Sequence, residues 1–182
     1  MKKNSRRNFI MNAVIENLLT RRSVRSFRDQ AISEEDLQLI LKTAAYAPSG
    51  MGKQTWKFTA VTDRAKIQKL AAAIAQELKR ENYDMYNPQV LIIPSNERES
   101  IWGKEDNACA LENIFLAAHS LGIGSVWINQ LQGICDVPAI RAILDEFEIP
   151  ADHVVYGMAA LGYPAAEPAK EVTKKGKIQI IR

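Results

Sequence analysis

Cysteine and histidine are scarce in this chain: two of each stand among 182 residues. Cys109 and Cys135 lie far apart, with no CxxC spacing and no histidine pair nearby. That excludes a disulfide framework and a zinc site, and implies two buried, reduced thiols. An excess of one charge is also missing. Lys and Arg number 24 against 21 Asp and Glu, and a net charge of +3 is too small to imply a nucleic-acid partner, so any basic function must be local. No apolar run approaches the ~18 residues of a membrane-crossing helix. The basic start Met1-Lys2-Lys3 meets Asn12, Glu16 and Asn17 before an apolar stretch develops, so no export signal is expected and the cytoplasm is the expected location. GxSxG, HExxH and P-loop motifs are absent as well, which removes the residues that serine hydrolases, zinc proteases and nucleoside triphosphatases require. Gly122-Ile123-Gly124 begins like a dinucleotide fingerprint, but it lacks the third glycine and follows a helix instead of a strand.

What is present suits one domain, residues 14–182, behind an N-terminal arm of residues 1–13; 47% hydrophobic residues suffice for a core. Val14, Leu18 and Leu19 outline a short amphipathic helix. Ser33 heads a capping box before Leu37, Ile40, Leu41 and Ala44, whose spacing predicts a helix ended by Pro48. Trp56 to Val61 reads as a strand, and Asp63 as the cap of a helix with Ile67, Leu70, Ala71, Ile74 and Leu78 inward. Val90 to Ile93 predicts a short buried strand stopped by Pro94. A polar stretch from Ser95 to Lys104 then leads to a helix carrying Leu111, Ile114, Phe115, Ala118 and Leu121, closed by Gly122. Ser125 to Ile128 is the next strand, and Asp136 is the expected cap of a helix with Ile140, Ile143, Leu144 and Phe147. One strand from His153 to Leu161 follows, and Ile178-Gln179-Ile180-Ile181 alternates like an edge strand beyond a long connector.

Two basic knots carry candidate chemistry. Arg21, Arg22, Ser23 and Arg25 place three guanidinium groups and a hydroxyl within five residues, a donor set suited to a phosphate dianion. Lys174 and Lys175, with Lys177, form the second. Read alone, both also fit solvated element ends. The turn Ser49-Gly50-Met51-Gly52 offers backbone N–H groups without bulk, and Gln54 adds an amide; a plain helix-to-strand connection is the other reading. His119 falls at a helix C-terminus, where it suits the dipole better than a catalytic base. His153 has no evident partner. Trp56, Trp127, Tyr156 and Tyr163 are core or strand aromatics, with Trp127 also suited to border a flat ligand.

Together, Arg21-Arg22-Ser23-Val24-Arg25-Ser26-Phe27, the run from Ala47 to Phe58 containing Pro48-Ser49-Gly50-Met51-Gly52-Lys53-Gln54, and Leu121-Gly122-Ile123-Gly124-Ser125-Val126-Trp127-Ile128 strongly resemble the FMN-dependent nitroreductase family, in order and in spacing. The resemblance runs from about Val14 to the C-terminus. It implies an α+β fold, a mainly antiparallel sheet flanked by helices, assembled as an intertwined homodimer that exchanges C-terminal strands and holds FMN at its interface. By position it assigns Arg21 and Ser23 to the FMN phosphate, Arg22 as a further phosphate candidate and Arg25 to the flavin ring. Pro48, Ser49, Gly50 and Gln54 would lie against the flavin from the neighbouring subunit, Gly124 and Ser125 would form the turn beside the ring, and Lys174 and Lys175 would complete the phosphate site. Gly52 stands where the family commonly has asparagine, and Thr55 where it commonly has proline. A helical lid over the substrate would be reduced in so short a chain.

The implied activity is ping-pong reduction of nitroaromatic, quinone or similar small oxidised acceptors by NADH or NADPH, with hydride passing through flavin N5 and no protein residue required as catalytic acid or base. The same family resemblance leaves open reductive dehalogenation and flavin fragmentation. A flavin-binding redox protein without enzymatic turnover is the reading from a different class.

Overall fold

In a computed structural model, the described residues, 12–167 and 172–182, form five α-helices, a three-residue 3-10 turn at Gly50–Gly52 and five strands. Of the expected arm, only Asn12 and Ala13 fall within the described residues. Asn12 caps α1 (Ala13–Thr20), its side-chain oxygen accepting the N–H of Ile15 at 2.9 Å. Ser33 caps α2 (Glu34–Ala45) by accepting the Asp36 N–H, while its own hydroxyl donates to the Asp36 carboxylate at 2.7 Å. Asp63 caps α3 (Arg64–Glu77) as expected, accepting from Ala65 and Lys66.

The sheet is antiparallel throughout. β1 (Trp56–Val61), β2 (Val90–Glu97), β5 (Met158–Gly162) and β3 (Gly124–Ile128) lie side by side in that order, and the two-residue β4 (His153–Val154) pairs with the far end of β2. α4 (Gly103–Ser120) and α5 (Pro138–Glu146) complete the element set. Because β2 and β5 are central, both of their faces are apolar. Leu91, Ile93 and Ala160 point into a core shared with α3 and α5, while Ile92, Ala159 and Leu161 point into a second core shared with α2 and α4. α1 stands outside both cores, and none of its residues is buried within the chain.

Four expectations are corrected. Pro94 does not stop β2, which continues to Glu97. β5 accompanies β2 only from Val90 to Ile92 and β4 only at Asn96 and Glu97, so Pro94 sits where β1 alone is paired and a missing N–H breaks no ladder. Asp136 does not cap α5. Val137 occupies that place with Pro138 at the first helical position, and the Asp136 carboxylate instead receives two N–H groups of Arg98, each at 2.9 Å. The single strand from His153 to Leu161 is two strands, interrupted at Val155 to Gly157. There the chain passes so close to the indole of Trp127 that a Cβ on Gly157 would lie 2.7 Å from its Nε1. Cys109 is half-buried instead of buried, whereas Cys135 is buried, and both are free thiols.

The closing segment, expected to join a partner's sheet, forms no strand within its own chain. Residues 172–182 are exposed along their whole length and pair with no strand of their own chain. Among the described residues no helix is long and apolar enough to cross a membrane.

Candidate functional site

α1 ends where the first basic knot begins. Arg22 folds back on the helix terminus, its Nη1 donating to the carbonyls of Leu19 at 2.7 Å and Arg21 at 2.8 Å, so it satisfies helix carbonyls that have no intrahelical partner. Arg21 lies over the ring of Phe115, 5.9 Å from its centroid, with Glu112 3.9 Å from its Nε. Ser23 and Arg25 are exposed, while Val24 between them is buried. The segment is thereby anchored at Val24 and presents its polar side chains outward.

The anchor is β3. Val24 donates its N–H to the Ser125 carbonyl at 2.9 Å, and Ser23 and Ser125 form a parallel bridge. A Cβ on Gly124 would come within 2.8 Å of the Val24 side chain, so the close approach needs glycine there. Further along, Arg28 donates to Tyr163 and Ala165 to Ser26, which stitches residues 23–28 to the chain leaving β5. Gly124 and Ser125 therefore act in this chain as the seat of the basic segment, with Ser125 itself buried.

The two basic knots meet. Arg21, Arg22, Ser23, Arg25, Val172 and Lys174 line one cavity of about 330 Å³, although Lys174 is separated from the first knot by nearly the whole chain. Lys175 is exposed and does not line it. Four cationic side chains and a hydroxyl around one cavity form a site for an anion with several acceptor oxygens, such as a phosphate monoester. Among the described residues no cluster of His, Cys, Asp and Glu could hold a metal ion.

The Pro48 to Gln54 loop is built separately and does not line that cavity. Its backbone is strained at Met51 and Gln54, which have φ of 54° and 50°, while Gly52 takes φ 67° without penalty. What holds it is a residue that the sequence pattern does not single out. Asp106, buried in the first turn of α4, accepts the Ser49 hydroxyl at 2.9 Å through Oδ2 and the Gly50 N–H at 2.8 Å through Oδ1. The Ser49 oxygen in turn accepts the Gln54 N–H at 2.9 Å. Gly50 packs against Trp102 so tightly that a Cβ would lie 2.2 Å from the ring. The available signal was a carboxylate four residues before Ala110 and eight before Ile114, on the buried stripe of α4, where an unpaired charge is costly. Pro48 and Gln54 are exposed, and Met51 is almost fully so.

Both histidines have partners. His119, in the last turn of α4, has Nε2 2.8 Å from the Thr20 hydroxyl of α1. Burial, aided by the nearby guanidinium groups of Arg21 and Arg22, lowers its pKa from the ordinary value. His153 is buried with Nδ1 3.0 Å from the Ser95 hydroxyl, and burial lowers its pKa too, against the opposing pull of Asp152 and Glu97. Trp127 keeps part of its indole exposed at the end of β3, 6.1 Å from the Phe115 ring.

Comparison with known proteins covers nearly the same span. The profile of the nitroreductase family matches residues 18–163. A crystal structure of a Bacteroides fragilis nitroreductase with bound FMN superposes with a TM-score of 0.87 at 43% identity, covering 94% of this chain and 100% of that one. A protein of Archaeoglobus fulgidus assigned as an NADH dehydrogenase/NAD(P)H nitroreductase is 36% identical over 162 residues, which are 86% of this chain and 88% of that protein. The FMN reductase (NADPH) of Bacillus subtilis is 29% identical over 178 residues, covering 85% and 67%.

Proposed function

The chain belongs to the nitroreductase family, and on that premise we propose that it is an FMN-dependent oxidoreductase that uses NADH or NADPH to reduce nitroaromatic, quinone or similar small oxidised acceptors. The observation that carries the proposal is the meeting of Arg21, Arg22, Ser23, Arg25 and Lys174 around one cavity. Two stretches far apart in sequence supply charge-assisted donors to the same place, which fits the phosphate of FMN. When bound, FMN supplies the two-electron chemistry, taking a hydride from the nicotinamide and passing it to the acceptor in alternation at one open face.

The chain's own residues bind, orient and tune. Arg21, Ser23 and Lys174 hold the phosphate. Arg22, which already caps α1, contributes positive charge more than geometry. Arg25, exposed two residues beyond Ser23, reaches the ring and favours its reduced, negatively charged form. Pro48, Ser49, Gly50 and Gln54 cover the ring from the neighbouring subunit, which accords with a loop built apart from the basic cavity of its own chain.

The second subunit is a further part of the proposal. α1 leaves Val14, Leu18 and Leu19 exposed, and Ile178 in the terminal segment is 94% exposed. Apolar side chains left exposed on two elements mark an association surface. Among the described residues β1 pairs only with β2 and offers an open edge, whereas the outer edge of β3 is already occupied by Ser23. The partner's residues 177–181 would add to the β1 edge, satisfying their backbone groups and covering an exposed strand in one step.

The test is the absorption spectrum of the purified protein, followed by anaerobic titration with NADH and with NADPH. Flavin absorbance that bleaches with either nicotinamide and returns on adding a quinone is the expected result. Protein that stays colourless after incubation with FMN would overturn the proposal. Bound FMN that neither nicotinamide reduces would leave a flavin-binding protein without this activity.

A further inference from the structure

We propose that Asp106 is a positioning residue that fixes the hydrogen-bonding polarity of Ser49, so that this hydroxyl can accept a hydrogen bond from the flavin but cannot donate one. The inference rests on the reading above, in which the Pro48 to Gln54 loop faces FMN; the polarity itself follows from this chain alone. Ser49 has one proton and two lone pairs. The proton is committed to Asp106 Oδ2 at 2.9 Å, and one lone pair to the Gln54 N–H at 2.9 Å. One lone pair remains, so the hydroxyl can offer only acceptance.

Asp106 is well placed to enforce this. It is 4% exposed, its other oxygen is filled by the Gly50 N–H at 2.8 Å, and it sits in the first turn of an 18-residue helix, where the N-terminal dipole favours a carboxylate. Trp102 presses on Gly50 from the same end of α4 and closes the alternative of the loop shifting away. Three consecutive constraints thus act on two adjacent residues: a carboxylate on the Ser49 proton, the same carboxylate on the Gly50 amide, and an indole on the Gly50 Cα. A loop that needed only to connect α2 to β1 would not require a buried charge to orient one hydroxyl. An acceptor beside the ring disfavours added negative charge there, so Asp106 acts through Ser49 to hold the reduction potential of FMN down, opposite in sense to Arg25.

Asp106→Asn inverts the arrangement. The amide oxygen can keep the Gly50 N–H, and the amide nitrogen then donates to Ser49. With both lone pairs filled, by the introduced amide and by the Gln54 N–H, the serine proton is free to turn to the flavin.

The experiment is a double-mutant cycle on the full-length holoprotein, reading the FMN midpoint potential and absorption spectrum in wild type, D106N, S49A and D106N/S49A. The expected result is a positive shift in D106N, corresponding to about a tenfold change in the ratio of reduced to oxidised FMN at fixed potential, and a much smaller shift when the same change is made in S49A. Equal shifts in both backgrounds would show that Asp106 acts by charge alone and would overturn the inference, as would no shift in D106N. If D106N fails to fold, S49T and S49A decide. Ser49 has an extended backbone, φ −128° and ψ 141°, which threonine adopts readily. S49T should keep the wild-type potential and S49A should not, and equal behaviour of the two overturns the inference. Wild-type protein that takes up no FMN removes the functional reading and this inference together. Wild-type protein with bound FMN and an uncoupled cycle removes the inference alone.

Discussion

Val24 donates its backbone N–H to the carbonyl of Ser125 at 2.9 Å, and Gly124 beside it leaves no room for a Cβ against the Val24 side chain. This contact makes the basic segment part of the sheet. Arg21, Ser23 and Arg25 are therefore held by a rigid element and not by a free loop, and their spacing toward a ligand is set by the position of β3.

That contact yields the first prediction. Gly124→Ala places a methyl 2.8 Å from the Val24 side chain, and the segment must move. Overpacking of this kind costs about 1–3 kcal/mol, so the melting temperature should fall modestly. FMN affinity should fall more steeply, because the displaced residues are those that face the cavity. Val24→Gly in the same chain removes the side chain in the way and should recover part of the affinity. Fluorescence titration of FMN into the two variants measures both effects. Unchanged affinity in Gly124→Ala would mean that the segment is not held from β3.

The motifs that carry the family resemblance were legible because each is local. Arg21 to Arg25, Pro48 to Gln54 and Leu121 to Ile128 are short runs in which residue type and spacing are read directly, and the helices at Ser33 and Asp63 announce themselves by caps. What was not legible depends on contacts between distant residues. Pro94 reads as a strand stop until the pairing of β2 shows a place where a missing N–H costs nothing. Asp136 reads as a cap until Arg98 is found beside it. Asp106 left only the trace of a charge on an apolar stripe, since its partners Ser49 and Gly50 lie 57 and 56 residues away. The convergence of Lys174 with Arg21 could be suspected from the two basic knots, but only the fold brings them to one cavity.

Lys174 gives the second prediction. If its ammonium group helps to hold a phosphate, Lys174→Ala should weaken FMN binding by about tenfold, the scale of one charge-assisted hydrogen bond. It should leave the binding of riboflavin, which lacks the phosphate, unchanged. Arg21→Ala should behave the same way with a larger loss, since Arg21 also packs over Phe115. Titration of each variant with both flavins checks this. Equal weakening toward FMN and riboflavin would place Lys174 away from the phosphate.

The two histidines predict the pH dependence of stability. Burial is the main cause that lowers the pKa of each below 6.5 in the folded chain. The unfolded chain therefore takes up protons at a higher pH than the folded one does. The stability at stake is fully present above pH 6.5 and is lost as pH falls from there toward the folded values. His119 and His153 are the only histidines in the sequence. The melting temperature should drop between about pH 7.5 and 5.5, and His119→Gln combined with His153→Gln should flatten that drop whatever it does to the absolute stability. A slope that survives in the double variant would assign the effect to carboxylates.

Removal of residues 177–182 separates the two halves of the proposed site. The truncated chain keeps Lys174, Arg21, Ser23 and Arg25, so its phosphate cavity is complete. It loses Ile178, Ile180 and Ile181, all exposed in the single chain, and burying each such side chain is worth about 1.5–3 kcal/mol to an assembly. If these residues add to the open edge of the partner's β1, the truncated protein should sediment as a monomer. It should then also release FMN, because the Pro48 to Gln54 loop of the neighbour no longer covers the ring. Lys174→Ala should bind FMN more weakly while remaining a dimer, so sedimentation velocity read together with flavin titration distinguishes a weakened phosphate site from a broken interface. A truncated protein that stays dimeric and yellow would transfer the interface from the terminal segment to the exposed face of α1. Leu18→Glu and Leu19→Glu should then produce the monomer instead.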